Sequence, residues 1–408
     1  MPTLAQSVSE LAAASAVRTC LEWFRKERAW INEQHLKLCR VAAPTFFEEK
    51  RAEWMMERFR ALGWDAKVDR AGNVIASLPG QRDQPAIAVT AHLDTVLAPK
   101  SPEDIKVAGD GRMLGPGVSD NGAGLSALLA LAAVWKISPP VDGNGIIPVL
   151  IANVGEEGEG NLCGMRYLCR PASAARFRAF LVLDGPNTDR ITSRALASRR
   201  FEVTFTGPGG HSWSDHGTVN PVHALSRAVA YFSDQAPLGN PRSSYNFGVV
   251  EGGTSINAIP SEARTKVDLR SEGSERMDQM AALLATAVEK ALDGENTRAE
   301  MAGRGGTGKL SAKLKEIGSR PGGSLPEGSA ILEDLLAVDA YLGIRAALDC
   351  ASTDANLPLS MGIPAVSIGA GGQGGGAHTL AEWYQPDGRE LGLRRILLAL
   401  CLLCDEMQ

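Results

Sequence analysis

Three apolar runs, in PAIAVTAHLDTV, GIIPVLIANVGEE and RFRAFLVLDG, each stop at a histidine or a carboxylate. A strand that is apolar at nearly every position, not at alternate ones, has to be buried on both faces, and a parallel sheet wrapped by helices provides that. Between the first two runs lies VSDNGAGLSALLALAAVWK, a helix pattern that is apolar nearly all round and fits a helix buried against a sheet. NLCGMRYLCR adds a short helix before the third run. The alternation specifies an α/β fold: a doubly wound, mostly parallel sheet with helices on both faces. Pro148, inside the second run, argues against a central place for that strand.

A chain of 408 residues exceeds one ordinary core, so two domains are expected. Ser7 to Leu62 reads as two helices, followed by a hairpin turning at Gly72. Near Ser193 the character changes. RRFEVTFTGPGGHSW alternates like a half-buried strand, NPVHALSRAVAYFSD is a helix capped by Asn220, and YNFGVVEGGTSINAIPSEARTKVDLRS holds two more strands. A second helix begins at GSERM, and SAKLKEIG supplies a last strand. This β-α-β-β-α-β order is that of a ferredoxin-like α+β domain. The doubly wound pattern resumes at SRPGG, which divides the chain into residues 1–193 with 321–408, and an insertion at 194–320.

The formal charge of −5, the lack of a long basic run and an aromatic share of 5% argue against nucleic acid as a partner. No apolar stretch is long enough to span a membrane, and the first residues lack the pattern of a secretory signal, so a cytoplasmic protein is expected. Seven irregularly spaced cysteines do not form a disulfide framework. Cys401 and Cys404 make a CxxC inside a helical pattern and read as packed thiols. GPGGHS follows a strand of the insertion, not the first strand of a βαβ unit, so a nicotinamide site is not indicated.

Five candidate ligands fall at or just past strand ends: His92, Asp120, Glu157, Asp184 and His378. Singly, each has a plain alternative. His92 could be a satisfied core histidine, Asp120 a helix cap, Asp184 a turn residue, and Glu156 with Glu157 a solvated loop. Jointly they would crowd negative groups onto one rim of the sheet, and divalent cations would relieve that repulsion. Zinc or a similar first-row ion suits a mixed carboxylate and imidazole set. Asp94 lies two residues from His92 on the same side of an extended segment and could accept from its second ring nitrogen. Of Glu156 and Glu157, one can ligate while the other moves the proton of the attacking water, and sequence alone does not assign them.

Taken in order, TAHLDTV, LGPGVSDNGAG, VGEEGEG, LVLDGP, GPGGHSWSD, GGTSINAIPSEARTKVDLRS and GGGAHTLAEW resemble the dizinc exopeptidases and deacylases of metallopeptidase family 20. That group contains aminoacylase, bacterial tripeptidase, glutamate-releasing carboxypeptidases and succinyl-diaminopimelate desuccinylase. The resemblance implies two divalent ions, zinc first, with cobalt or manganese as alternatives. It implies His92 and Asp184 on one ion, Glu157 and His378 on the other, and Asp120 bridging. It further implies Glu156 as general acid and base, Asp94 behind His92, and a cis peptide between Asp120 and Asn121. Many relatives carry a second Asp where this chain has Asn121.

The insertion resembles the family's substrate lid, which often forms a homodimer. His211 then matches a histidine that stabilises the oxyanion, and Asn257 and Arg270 match residues that hold a substrate carboxylate, with Thr254 and Ser255 nearby. A salt bridge to Asp268 is the other reading of Arg270. The implied activity is amide hydrolysis of short peptides by an exopeptidase of the tripeptidase-like branch. Deacylation of N-acyl amino acids is the alternative, and a non-catalytic metal-binding protein a further one.

Overall fold

In the computed structural model, which describes residues 4–140, 145–306 and 308–406, the three apolar runs are adjacent parallel strands, in the order Ile147–Asn153, Ala86–His92 and Phe177–Leu183. Their alternate residues serve two cores. Ile87, Val89, Leu150, Leu181 and Leu183 join one side, while Ala88, Val149, Ile151, Phe180 and Val182 join the other. Each fully buried Val, Leu or Ile contributes about 1.5–3 kcal/mol, so this centre is a stiff base for anything mounted on its edge.

Among the described residues nine strands make this sheet, eight of them running Asp65–Val68, Val74–Ser77, Ile147–Asn153, Ala86–His92, Phe177–Leu183, Ala365–Ile368, Arg190–Ala195 and Gly323–Ser324. The ninth, Ala347–Ala351, pairs in parallel with Arg190–Ala195. Parallel pairing holds the centre, and the strands toward both ends include antiparallel pairs. Pro148 is tolerated inside the sheet because its neighbour Val74–Ser77 pairs only with Leu150, Ile151 and Ala152, so no ladder bond is lost at the proline.

The helix Gly122–Ile137 is buried along nearly its whole length, as its composition requires. Ser7–Leu62 differs from the expectation of two helices. Four occur there: Leu4–Ala13, Ser15–Lys26, Arg28–Cys39 and Glu49–Ala61. The breaks at Ala14 and Glu27 carry no glycine or proline. Separate short helices let Val17, Cys20 and Phe24 on one, and Ile31 and Leu38 on the next, all reach the core. The C-terminal helix Arg389–Glu406 buries Cys401 and Cys404 as free thiols, and burial raises both pKa values.

The chain divides into two units, Met1–Ala195 with Gly323–Gln408, and Leu196–Gly322. Ala195 and Gly323, where the first unit is left and re-entered, are paired neighbours in its sheet. The second unit is a four-stranded antiparallel sheet in the order Ser243–Gly252, Glu262–Ser271, Ala197–Thr206, Ser311–Arg320. Helices Pro221–Gln235 and Ser274–Met301 pack on it around Phe205, Phe232, Leu269 and Leu284. Asn220 caps the first helix, its side-chain oxygen accepting from the Val222 and His223 amides. Connection and strand order are ferredoxin-like.

Candidate metal centre

His92 ends its strand, Glu156 and Glu157 follow the strand Ile147–Asn153, and Asp184 follows Phe177–Leu183. Three neighbouring parallel strands therefore deliver these groups to one carboxyl edge, where open α/β sheets place their sites. Asp120 arrives just before the helix Gly122–Ile137, and the Asp120–Asn121 peptide is cis. His378 comes at the end of the glycine-rich segment, with φ of 64°.

The structure brings all five proposed ligands together. Ligand atoms of His92, Asp120 and Asp184 lie within 4.8 Å of one another, and so do those of Asp120, Glu157 and His378. Asp120 belongs to both groups. A third such group joins His92 with Glu156 and Glu157. His92 Nε2 is 3.0 Å from Asp120 Oδ1 and 4.0 Å from Asp184 Oδ1, while His378 Nε2 is 3.2 Å from Asp120 Oδ2 and 2.8 Å from Glu157 Oε1. Zinc donors sit about 2.0–2.1 Å from the ion, which puts neighbouring donors of a tetrahedron about 3.3 Å apart. The observed separations scatter about that value, so the donor set fits two small divalent ions sharing a carboxylate.

The electrostatics point the same way. Burial pushes Glu157 up to about 7; His92 opposes this, and the Glu156 and Asp120 charges add to it. Asp120 is held well below the ordinary carboxylate range, because His378 and His92 outweigh its burial. His378 is raised to about 9, chiefly by its bond to Asp120. Burial alone would lower His92, but Asp120 and Asp94 hold it well above its usual value. A carboxyl that the sequence reading missed, Asp354, is fully buried and driven far upward by burial and then by the charge of Glu156. Asn153 Nδ2 donates to its Oδ2 at 2.7 Å. The rim thus carries more negative charge than its two imidazoles balance, a surplus that divalent cations neutralise.

Asp94 does more than the sequence indicates, and its link to His92 is different. The His92 Nδ1–H donates to the Asp94 backbone carbonyl at 2.9 Å, and the Asp94 carboxylate is 3.6 Å away. A carbonyl only accepts, so Nδ1 keeps its proton and Nε2 is the atom turned toward Asp120. The carboxylate itself receives the Glu156 amide on Oδ1 at 3.0 Å, and the Glu157 amide and the Thr45 hydroxyl on Oδ2, each at 2.9 Å. Asp94 therefore fixes the backbone of the glutamate pair.

Two further residues brace the rim. Glu382, 3% exposed, accepts the Gly117 amide on one oxygen at 2.7 Å. Its other oxygen takes the Ser119 amide, the Ser119 hydroxyl and the Asp120 amide at 2.8, 2.9 and 2.9 Å. Asn121 Nδ2 donates to the Leu183 carbonyl at 2.8 Å, and its Oδ1 accepts from Gly124 and Gly185. The side chain that caps the helix thus also ties the Asp120 loop to the residues flanking Asp184. An aspartate could not donate to Leu183. Glu382 lies in the quoted segment GGGAHTLAEW, but only the folded loop shows four donors converging on it.

The remaining expected site residues lie in the second unit. His211, in the short strand Gly210–His211 paired with Ala258–Ile259, is exposed. The Trp213 and Ser214 amides donate to its Nδ1 at 3.2 and 3.4 Å, which puts the ring proton on Nε2. Asn257 is beside it, its backbone carbonyl accepting from Ser212 at 3.0 Å and its side chain from the Ser255 hydroxyl at 2.7 Å. Thr254 precedes them in the same exposed loop. Arg270 is elsewhere. It lies seven residues beyond Ala263, the partner of Gly252, which at about 3.4 Å per residue is roughly 24 Å along the strand. Its Nε donates to Asp268 at 2.7 Å, so the salt bridge forms. One chain does not bring Asn257 and Arg270 onto the same small carboxylate.

Comparison with known proteins adds to this geometry. A peptidase dimerisation domain matches residues 197–296, and a peptidase family M28 model matches residues 73–229. The chain is 26% identical to the uncharacterized protein YqjE of Bacillus subtilis over 83% of its length and 89% of that protein's. It is 28% identical to succinyl-diaminopimelate desuccinylase of Paracoccus denitrificans over 44% of its length, a match that spans 50% of the relative. The crystal structure of aminopeptidase PepT from Bacillus cereus superposes with a TM-score of 0.71 at 21% identity, covering 92% of this chain and 98% of that one, a likeness of fold. Among the described residues no helix is long and apolar enough to cross a membrane.

Proposed function

The chain belongs to metallopeptidase family 20, a group of metal-dependent hydrolases, and from that premise we propose that it cleaves the amide bond of short peptides as an exopeptidase. The observation that carries the proposal is the pair of donor triads sharing Asp120. His92 and Asp184 would hold one ion, Glu157 and His378 the other, with Asp120 between; zinc fits best, and cobalt or manganese fit the same donors. When bound, such ions polarise the scissile carbonyl and acidify water.

The chain's own groups supply the rest. Glu156 takes the proton of the water whose oxygen attacks the carbonyl carbon, and returns it to the nitrogen as the C–N bond breaks. Asp94 holds the Glu156 amide, so the base is presented from a fixed backbone. His211, with its proton on Nε2, is assigned to the oxyanion, and Asn257, Thr254, Ser255 and Arg270 to substrate polar groups. The separation of Asn257 from Arg270 supports a site to which two chains contribute. The edge strand Ser243–Gly252, with Val250 62% exposed, is our candidate for the homodimer contact. Seven free cysteines suit a reducing compartment, and we assign the protein to the cytoplasm.

A second reading, hydrolysis of an N-acyl amino acid, draws support from the likeness to the desuccinylase. A panel of di- and tripeptides and N-acyl amino acids, assayed with and without chelator, separates the two. Glu156→Gln should abolish turnover and keep two equivalents of metal, whereas Glu157→Gln should lose metal. Full activity in the first variant would remove Glu156 from the mechanism.

A further inference from the structure

His378 differs from the other ligands in what holds it. His92 and Asp184 come from strand ends of the central sheet, whereas His378 sits in the exposed loop of a hairpin, Gln373–Gly375 paired with Trp383–Gln385. That hairpin belongs to a separate four-stranded sheet with Met113–Leu114 and Lys106–Val107. The place of His378 relative to Asp120 therefore depends on how the hairpin is fastened to the rim. Glu382, just before the returning arm, is one fastening, through its bonds to Gly117, Ser119 and Asp120.

A second fastening runs through His35, Arg389 and Tyr384, three buried side chains that none of the roles above uses. Tyr384 lies on the returning arm. Its hydroxyl donates to the Gly371 carbonyl at 2.9 Å, just ahead of the outgoing arm, and accepts from Arg389 Nε at 2.7 Å. Arg389 Nη2 donates to His35 Nδ1 at 2.6 Å, and His35 Nε2 donates to the Val118 carbonyl at 2.8 Å, two residues before Asp120. The polarity of this relay is fixed. A guanidinium only donates and a carbonyl only accepts, so His35 is neutral with its proton on Nε2. Burial, and then the Arg389 charge, hold its pKa well below the ordinary value, which agrees.

We propose that His35, Arg389 and Tyr384 are positioning residues that fix the His378 hairpin against the Asp120 loop, and so set the affinity of the ion held by Glu157 and His378. The inference rests on the division of ligands given under the proposed function. The other ion is held independently. The Asp184 amide donates to the Ile368 carbonyl at 3.0 Å, and the Gly371 amide to the Pro186 carbonyl at 2.7 Å, so the Asp184 turn keeps its place without the tyrosine. His92 is held by its strand, and Asp120 stays in the grip of Glu382. Loss of the relay frees the hairpin alone.

The test is competition of the zinc-loaded protein with a chromophoric chelator, which yields the two stepwise dissociation constants without any assay of turnover. Tyr384→Phe removes one hydroxyl and keeps the ring. It should weaken one ion by about tenfold or more, the loss typical of a group that orients a ligand, and leave the other within about twofold. In a His378→Ala background, where that ion has already lost its imidazole, Tyr384→Phe should add nothing to the constant of the remaining ion. His35→Phe should act as Tyr384→Phe does, whereas His35→Gln, whose amide can donate to Val118 and accept from Arg389, should restore the affinity. Equal weakening of both ions, weakening of neither, or an undiminished effect in the His378→Ala background overturns the proposal. A parent that binds two ions and hydrolyses no amide sinks the exopeptidase reading and leaves this one standing. An active parent whose variants bind both ions as tightly sinks this one alone.

Discussion

Glu382 offers the sharpest test of how the rim is held. Its carboxylate accepts three backbone amides and one hydroxyl, at 2.7 to 2.9 Å, from the loop that ends in Asp120. Glu382→Ala leaves three buried amides without an acceptor, while the Ser119 hydroxyl can rotate elsewhere. At about 1–3 kcal/mol for each orphaned group, with some relief from water entering the space, the loss should be about 3–5 kcal/mol. That is a large part of the 5–15 kcal/mol typical of a whole domain. Glu382→Gln should be milder. Its amide oxygen can take the place of the oxygen that receives three donors, but its NH2 then faces the Gly117 amide, so one bond is lost at a cost of about 1–3 kcal/mol. Urea unfolding of the metal-loaded proteins gives the stabilities, and competition with a chromophoric chelator gives the metal affinities. Both should fall in the order parent, Gln, Ala. A Glu382→Ala protein within about 1 kcal/mol of the parent, with undiminished metal affinity, would refute the reasoning, because the cost of unpaired buried amides would then be absent.

Other outcomes follow from the same contacts. Asn121→Asp removes the donor to the Leu183 carbonyl and sets a carboxylate against it, so it should cost about 2–3 kcal/mol in urea unfolding; an unchanged midpoint would count against the bracing role. With metal stripped by chelator, Glu157 and His378 have folded pKa values of about 7 and 9, above their ordinary values of 4.5 and 6.5. The native state then binds more protons than the unfolded one, and stability should fall as pH rises from 4.5 to 9. Over the same range zinc affinity should rise, since ligation needs both groups deprotonated, and calorimetry in buffers of different ionisation enthalpy should detect proton release. A pH-independent melt of the stripped protein contradicts this. Val250→Lys, at the exposed edge strand, should shift the protein toward monomer in sedimentation velocity, and an unchanged species would move the dimer contact elsewhere.

The parts of the fold that were legible are those where local pattern and final environment coincide. The runs ending at His92, Val154 and Asp184 are apolar on both faces because the sheet is covered on both, so strand ends and rim groups could be read together. Asn220 is a cap in sequence and in structure because capping is decided within one turn. What was hidden depends on distant segments meeting. Glu382 and Gly117 are 265 residues apart, Asn153 and Asp354 201 apart, and each contact exists only once the chain has folded. The breaks at Ala14 and Glu27 carry no local signal, since packing sets them. Asp94 was legible as the group behind His92, but its second task was not: the register of two neighbouring strands also aims its carboxylate at the Glu156 and Glu157 amides.

The pairing of Ala195 with Gly323 bears on how the first unit can assemble at all. Its late strands must find partners made long before them in the chain, across the whole of Leu196–Gly322. Within that intervening unit Ser198 and Arg320 are also paired, so once it has folded its own two ends stand side by side. To the first unit the insertion then costs about as much closure entropy as a tight hairpin, not that of a long random loop. The same arrangement marks where a designer could excise the intervening unit and bridge Ala195 to Gly323 with a few residues, leaving a minimal scaffold on which the rim chemistry could be studied alone.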